Sequence, residues 1–255
     1  SYPFLNPIAP ITTTVNTPVT VQLSAQDVEG NAIYYAGLVS SSTSNLTVSV
    51  NSTTGLATIT PTNGITGVYN VVFRVRDPNV QPSGYGDVWG AQTVQVQNKP
   101  AAPTGLTLQA SSDTGVSTSD RITSYNNTDG KRLSFLVSGV VAGATVELFA
   151  DGHSIGTGTA STAGSMVVVT SGSYVLPAGV NQITARQSVA SGGVVSESSA
   201  ALSVTVDVTA PVISSTAPTA ATEGQQYVYD VQSNEESTGV TYQLTSSPAG
   251  MLIDS

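Results

Sequence analysis

The sequence predicts an all-β protein, a tandem array of β-sandwiches whose last member is incomplete. Three observations predict it. Apolar and polar residues alternate over short runs, and no window of eleven or more residues carries helical periodicity. Gly, Asn and Pro punctuate the runs at the short intervals of a sandwich. The runs fall into three series separated by proline-bearing stretches.

The first series spans residues 1–99. VTVQLSA (19–25) sets Val19, Val21 and Leu23 on one face and Thr20, Gln22 and Ser24 on the other, the period of a half-buried strand. LTVSV (46–50), GLATIT (55–60), NVVFRVR (70–76) and AQTVQVQ (91–97) follow, with DVEGN, NSTTG and TNGITG as turns between strands. Tyr34 and Tyr35 are adjacent, so one is expected to face the core and the other solvent. NKPAAP (98–103) then interrupts. Its prolines cannot donate to a central ladder, and it reads as a short stiff linker.

The second series spans residues 100–211. It runs from TGLTLQA through RLSFLVS (132–138), ATVELFA (144–150), SMVVVT (165–170), NQITARQ (181–187) and ALSVTV (201–206). FADGHS (149–154) places Asp-Gly between two strand-like runs, a hairpin signal. VTVDVTAP (204–211) closes the series on a proline. The third series, 212–255, predicts strands at QQYVYDVQ (225–232) and VTYQLT (240–245) before GMLIDS. There IDS takes the place that VNS (50–52) holds in the first series. The third sandwich is therefore expected to stop about halfway, and the chain to be a piece of a longer array.

Composition narrows the partners. Charged residues make up 9% of the chain, against about a quarter in an ordinary soluble domain. Ser and Thr supply about a quarter of all residues, so the polar surface is mostly hydroxyl and amide. Hydrophobic content of 39% is enough for sandwich cores and too high for disorder. The net charge of −9, with no Lys/Arg cluster, excludes nucleic acid and anionic membrane surfaces. Calcium is a partner that such a surface attracts. No apolar run approaches the ~20 residues of a membrane span, so no membrane insertion is expected. Cysteine is absent, which leaves stability to cores and metals.

Several motifs carry a resemblance. Residues 8–97, through TPVTVQLSAQDVEGN, NSTTGLATITP and FRVRDPN…AQTVQVQ, resemble the cadherin-like and Ig-like repeats of large secreted bacterial proteins. Residues 104–211, through SDTGVSTSDRIT, LSFLVSG, VELFADGHSIGTGTA and SVTVDVTAP, are similar to the bacterial Ig-like repeats of biofilm adhesins. Residues 216–255, through EGQQYVYDV and SSPAGMLIDS, resemble the start of a further Ig-type repeat. The resemblance implies a non-catalytic, extracellular or cell-surface stalk module of a large bacterial protein. Its partners would be neighbouring domains of the same chain. Few charges guard the strand edges, so self-association into fibres or matrix contacts is also expected. The alternatives are an accessory tail of a secreted enzyme and a carbohydrate-binding module.

The candidate metal ligands lie in two loops. In SSDTGVSTSDRITS (111–124), Asp113, Gly115 and Ser117 alternate and Asp120 follows three residues later. Ca²⁺ takes roughly six to eight oxygens from carboxylates, hydroxyls and carbonyls, and a looped chain can wrap these around one ion. Similar segments in the adhesin repeats are associated with calcium. The competing reading is local turn hydrogen bonding by the two aspartates. In QDVEGN, Asp27, Glu29 and Asn31 alternate, and Asp77 and Asn79 end a later strand. A sandwich can bring that loop and that strand end to one pole, where cadherin-like modules use acidic residues for calcium. The full interdomain cadherin signature is missing, and the alternative is solvated loop acids. Asp207 sits at the second linker.

GHSIG (152–156) matches the nucleophile pattern of hydrolases, but it lies in a hairpin with no helix following. His153, the sole histidine, stands beside Ser154 and cannot turn back as its base, so no catalysis is expected. SGYGDVWG (83–90) offers Tyr85, Asp87 and Trp89 either as a sugar platform or as ordinary packing. Asn45, Asn51 and Asn126 begin glycosylation sequons, which carry no meaning in a bacterial protein.

Overall fold

The computed structural model describes residues 3–40, 45–62, 66–77, 90–115, 117–189, 193–234 and 240–253. Two β-sandwiches occupy most of them. The first is built from β1 (Phe4–Leu5), β2 (Ile11–Thr14), β3 (Val19–Gln22), β4 (Ala25–Gln26), β5 (Tyr34–Val39), β6 (Leu46–Val50), β7 (Leu56–Pro61), β8 (Gly67–Arg76) and β9 (Gly90–Lys99). One sheet has the order β2-β9-β8-β5 and the facing sheet the order β3-β7-β6, with β1 and β4 paired beside them.

The alternation places the core. Along β8, Tyr69, Val71, Phe73 and Val75 are buried while their neighbours point outward. Leu23, Leu46, Ala57, Ile59, Val94 and Val96 meet them from both sheets. Phe73 is fully buried, and burying a side chain of that size contributes about 1.5–3 kcal/mol. Tyr35 packs on this core and Tyr34 stays exposed.

The second sandwich contains β10 (Gly105–Leu108), β11 (Ile122–Thr123), β12 (Ser134–Val140), β13 (Thr145–Ala150), β14 (His153–Thr159), β15 (Gly164–Val169), β16 (Gly179–Ser188) and β17 (Leu202–Val206). Its sheets have the orders β10-β12-β15 and β11-β17-β16-β13-β14. Leu133, Phe135, Val137, Val146, Leu148, Ile155, Ile183 and Val204 form the middle of a single core. The β13–β14 hairpin turns at Asp151 (φ 48°) and Gly152 (φ 87°). Both lie in the left-handed region, as a two-residue turn matching the strand twist requires.

In each sandwich an early strand pairs in parallel with the last one. Ile11–Thr14 of β2 run beside Val96–Lys99 of β9, and β11 runs parallel to the end of β17. Parallel neighbours start at the same pole, so the chain enters the first sandwich at one pole and leaves at the other. In the second, Ala101 of the entering chain is bonded to Gln187 near the end of β16, the pole where antiparallel β17 begins, and β17 runs from there to the opposite pole.

Residues 212–253 depart from the strand expectation. QQYVYDVQ and VTYQLT form no strand; among the described residues the segment has only an isolated bridge, Ile213 to Ser233. The physical reason is the missing partner. A strand persists when a neighbour takes its backbone groups and a facing layer covers its apolar side, and here Val228 is 70% exposed and Leu252 91%. The first linker is also shorter than NKPAAP suggests, because β9 stays paired through Lys99.

Candidate functional site

The loop between β10 and β12 is clipped to both sheets. It starts with a single 3-10 turn, Ala110–Ser112. Ser112 Oγ accepts from Ser134 N of β12 (2.9 Å), and Ser112 O accepts from Thr123 Oγ1 of β11 (2.6 Å). Thr114 Oγ1 accepts from Ser124 N (2.7 Å) and touches the hydroxyls of Thr123 and Ser124. These contacts hold the intervening Asp113 almost sealed from solvent, at 3% exposure.

Asp113 Oδ2 accepts from Arg121 N (2.9 Å), and Arg121 sits at φ 65°. Asp113 Oδ1 is buried and meets no donor among the described residues. The carboxyl also lies within hydrogen-bonding reach of Asp120. Burial pushes the Asp113 carboxyl above its ordinary range; the Arg121 N–H pulls it down, and the Asp120 charge and contact push it up again. Asp120 itself is exposed, with Oδ1 accepting from Ile122 N (3.0 Å). The fold thus brings together the two aspartates at the ends of the motif. The middle of the motif behaves differently. Ser117 Oγ accepts from Ser119 N (3.2 Å), and Gly115, at φ 117°, has open space at its Cβ position. Each aspartate closes a local backbone bond, and one buried oxygen of Asp113 is left without a donor among the described residues.

The pole of the first sandwich is organised by hydrogen bonds. Asp27 accepts from Glu29 N (3.1 Å) and Asn31 N (3.2 Å), closing the loop on itself. Asn31 Nδ2 donates to Asp77 Oδ2 (2.9 Å), and Asp77 is buried. The loop and the end of β8 do share a pole, joined through an amide. Glu29 stays exposed, and among the described residues no three acidic, His or Cys side chains gather into a metal-holding cluster. Asn79 lies outside the described residues. Asp207 Oδ1 accepts from Thr209 N (2.9 Å), a local turn bond.

The remaining candidates resolve simply. Ser154 Oγ donates to Glu147 Oε1 (2.5 Å). The His153 ring lies flat on Tyr174, with centroids 4.2 Å apart and planes 9° apart. The GHSIG serine therefore has a carboxylate acceptor and no imidazole base. Tyr85, Asp87 and Trp89 lie outside the described residues. Asn51 Oδ1 accepts from Thr53 N and Thr54 N, and Asn126 Oδ1 from Thr128, so these asparagines serve turns.

Sequence reasoning missed the buried amides. Asn127 is fully buried at φ 64°, donates to Tyr174 O (2.7 Å) and accepts from Gly172 N (2.9 Å), stapling two loops. Gln187 is 1% exposed and bonded at both ends of its amide. Gln187 falls on the inward phase of β16, and that phase is the signal that could have found it.

These features define a class: tandem Ig-like β-sandwiches, all-β among the described residues apart from one short turn, with loops closed by aspartate and asparagine. Residues 3–84 match the family described as Bacterial Ig domain. No curated protein matches the chain. Among solved structures it is similar to the BSP domain of a biofilm-associated protein, at 20% identity and TM-score 0.28, covering 81% of this chain and 30% of that one. Domains A168–A170 of titin match at 11% identity and TM-score 0.28, covering 81% of this chain and 67% of that one. The D0–D1 domain of intimin matches at 14% identity and TM-score 0.25, covering 77% and 95%. The chain thus spans under a third of the biofilm-associated structure. Among the described residues, no helix is long and apolar enough to cross a membrane.

Proposed function

We propose that the chain is a non-catalytic stalk module of a large bacterial surface protein, working outside the cell as a load-bearing spacer between neighbouring domains. The observation that carries this reading is the parallel pairing of β2 with β9 and of β11 with β17. Opposite-pole entry and exit let sandwiches follow one another end to end. Tension along the chain pulls β2 and β9 in opposite directions along their common axis, which loads their hydrogen bonds together in shear rather than one at a time. The match of residues 3–84 to the Bacterial Ig domain family supports the bacterial origin. The edge strands support self-association: β5 (YYAGLV), β6 (LTVSV) and β15 (GSMVVV) carry no charged side chain to deter pairing with another copy.

Calcium belongs to this reading as a stiffener of the second sandwich. The residues present fit the ion in one respect that matters: Asp113 Oδ1 is buried without a donor and its carboxyl faces Asp120. Asp113 and Asp120 would hold the ion, with hydroxyl and carbonyl oxygens of the 111–124 loop completing its shell. A bound cation supplies the positive charge that this pair of carboxylates lacks.

Stretching the full chain between a surface and a probe tests the load-bearing role. Two discrete unfolding events are expected, each releasing roughly 30 nm, from about a hundred residues at ~3.5 Å each. Gradual lengthening at low force with no discrete events would sink the proposal.

A further inference from the structure

We infer that the joint between the first and second sandwiches is fixed by the protein itself, with the buried Gln187 as the positioning residue that grips the linker backbone. β9 remains paired with β2 through Lys99, whose carbonyl accepts from Val15 N (2.9 Å). Two residues later, Ala101 O accepts from Gln187 Nε2 (2.8 Å). Only Pro100 stands between the two anchors. It is buried, and its ring fixes φ near −65°. A hinge needs consecutive free dihedrals, and this joint has almost none.

The grip is itself held rigid. Gln187 Nε2 also donates to Gly139 O (3.0 Å), and its Oε1 accepts from Val141 N (2.9 Å). Its backbone is held by β13 on one side and by Ser196 on the other, with N–H donating to Ser196 Oγ (3.0 Å) and O accepting from Ser196 N (2.9 Å). Releasing the amide would leave buried donors and acceptors unpaired, which is why such a group stays in place. Just beyond, Thr104 N donates to Ser138 O (2.8 Å) and Pro103 is buried. Gly139 sits at φ 74°, and a Cβ there would stand 2.7 Å from Thr104 Oγ1 and 2.8 Å from its backbone nitrogen. Only glycine lets the linker lie this close. Lys99 Nζ adds a cross-sandwich ion pair with Glu197 Oε1 (2.7 Å). This joint does not rest on the surface-stalk reading and needs no metal.

The test is interdomain distance by pulsed electron resonance on the full chain. The protein has no cysteine of its own, so spin labels can be placed at Thr20→Cys in β3 and Thr157→Cys in β14, both exposed. One narrow distance distribution is expected, unchanged by chelator. Gln187→Met keeps the volume and loses the amide; it should widen the distribution about twofold or more, toward the free motion usual between domains. Gly139→Ala, which keeps the Gln187 side chain but pushes Thr104 of the linker away from the residue whose carbonyl that amide grips, should widen it too, and serves alone if Gln187→Met unfolds the second sandwich. A thermal melt on the same samples separates loss of the joint from loss of the fold. A broad distribution in the parent chain, or a narrow one in a folded Gln187→Met or Gly139→Ala variant, overturns the inference.

Discussion

NQITARQ (181–187) and QQYVYDVQ (225–232) look alike as sequences, and the molecule treats them in opposite ways. In the first, Asn181, Ile183, Ala185 and Gln187 are all buried, because β16 lies between β13 and β17 and faces a second sheet. In the other, Tyr227 is 39% exposed and Val228 70%, and the segment joins no sheet. Alternation gives a strand an apolar face. It does not supply the opposing layer that makes the face a core. The contrast extends to the junctions. Pro100 and Pro103 are buried in the first, while Val208 through Ile213 of the second are exposed.

The largest expected effect breaks that comparison directly. Phe135 is fully buried among both sheets of the second sandwich. Phe135→Ala should cost about 3–5 kcal/mol through lost transfer energy and the cavity left behind. Val228→Ala, by contrast, should stay within about 0.5 kcal/mol, as exposed substitutions do. Chemical denaturation of the full chain reads both. A Val228→Ala variant that melts as early as Phe135→Ala would mean that residues 212–253 own a core after all.

A mid-sized effect sharpens the account of the second sandwich. The Asp113 carboxyl titrates higher in the fold than in the unfolded chain, first because it is buried and also because Asp120 faces it. The folded state therefore holds that proton more tightly. The stability this contributes is fully present below the unfolded value of 3.8 and is lost as pH rises through the raised folded value. In calcium-free buffer, Asp113→Asn should remove that share of the pH dependence and hold stability at neutral pH. Calcium binding only the folded state would stabilise the parent by about 2.7 kcal/mol at a hundredfold excess over its Kd. Asp113→Asn should abolish that gain. If calcium leaves the melting temperature of the parent untouched, the aspartates are turn residues only.

Much of this was legible in the sequence, for a physical reason. Strands announce themselves through side-chain period, so the runs at 46–50, 70–76 and 181–187 fall within observed strands, and the run at 132–138 enters its strand at Ser134. The Asp-Gly turn at 151–152 shows because it needs left-handed backbone at both residues. The convergence of Asp113 on Asp120 follows from their place on one short loop. Other features depend on approach between distant segments. Gln187 reads as a polar strand residue until the carbonyls of Ala101 and Gly139 come near it. Asn31 meets Asp77 only because the fold places its loop beside the end of β8. The strands expected at 225–232 and 240–245 failed for the converse reason, since the pattern was present and the partner was not.

The smallest effect separates two candidate holders of the first joint. Lys99 and Glu197 make its visible ion pair, and hydrogen bonding and the charge of Lys99 lower the Glu197 carboxyl below its ordinary range. A lowered folded value contributes stability that is present above the unfolded pKa and lost as pH falls through the folded one. The Glu197 side chain is 76% exposed, however, and exposed pairs hold two long side chains in place for little net gain. Glu197→Gln should therefore leave the interdomain distance distribution as narrow as in the parent. So should 1 M salt, where the screening length falls to about 3 Å, because the Gln187 amide is buried and its bonds carry no net charge to screen. If salt alone widens the distribution, the ion pair holds the joint and Gln187 merely fills the space beneath it.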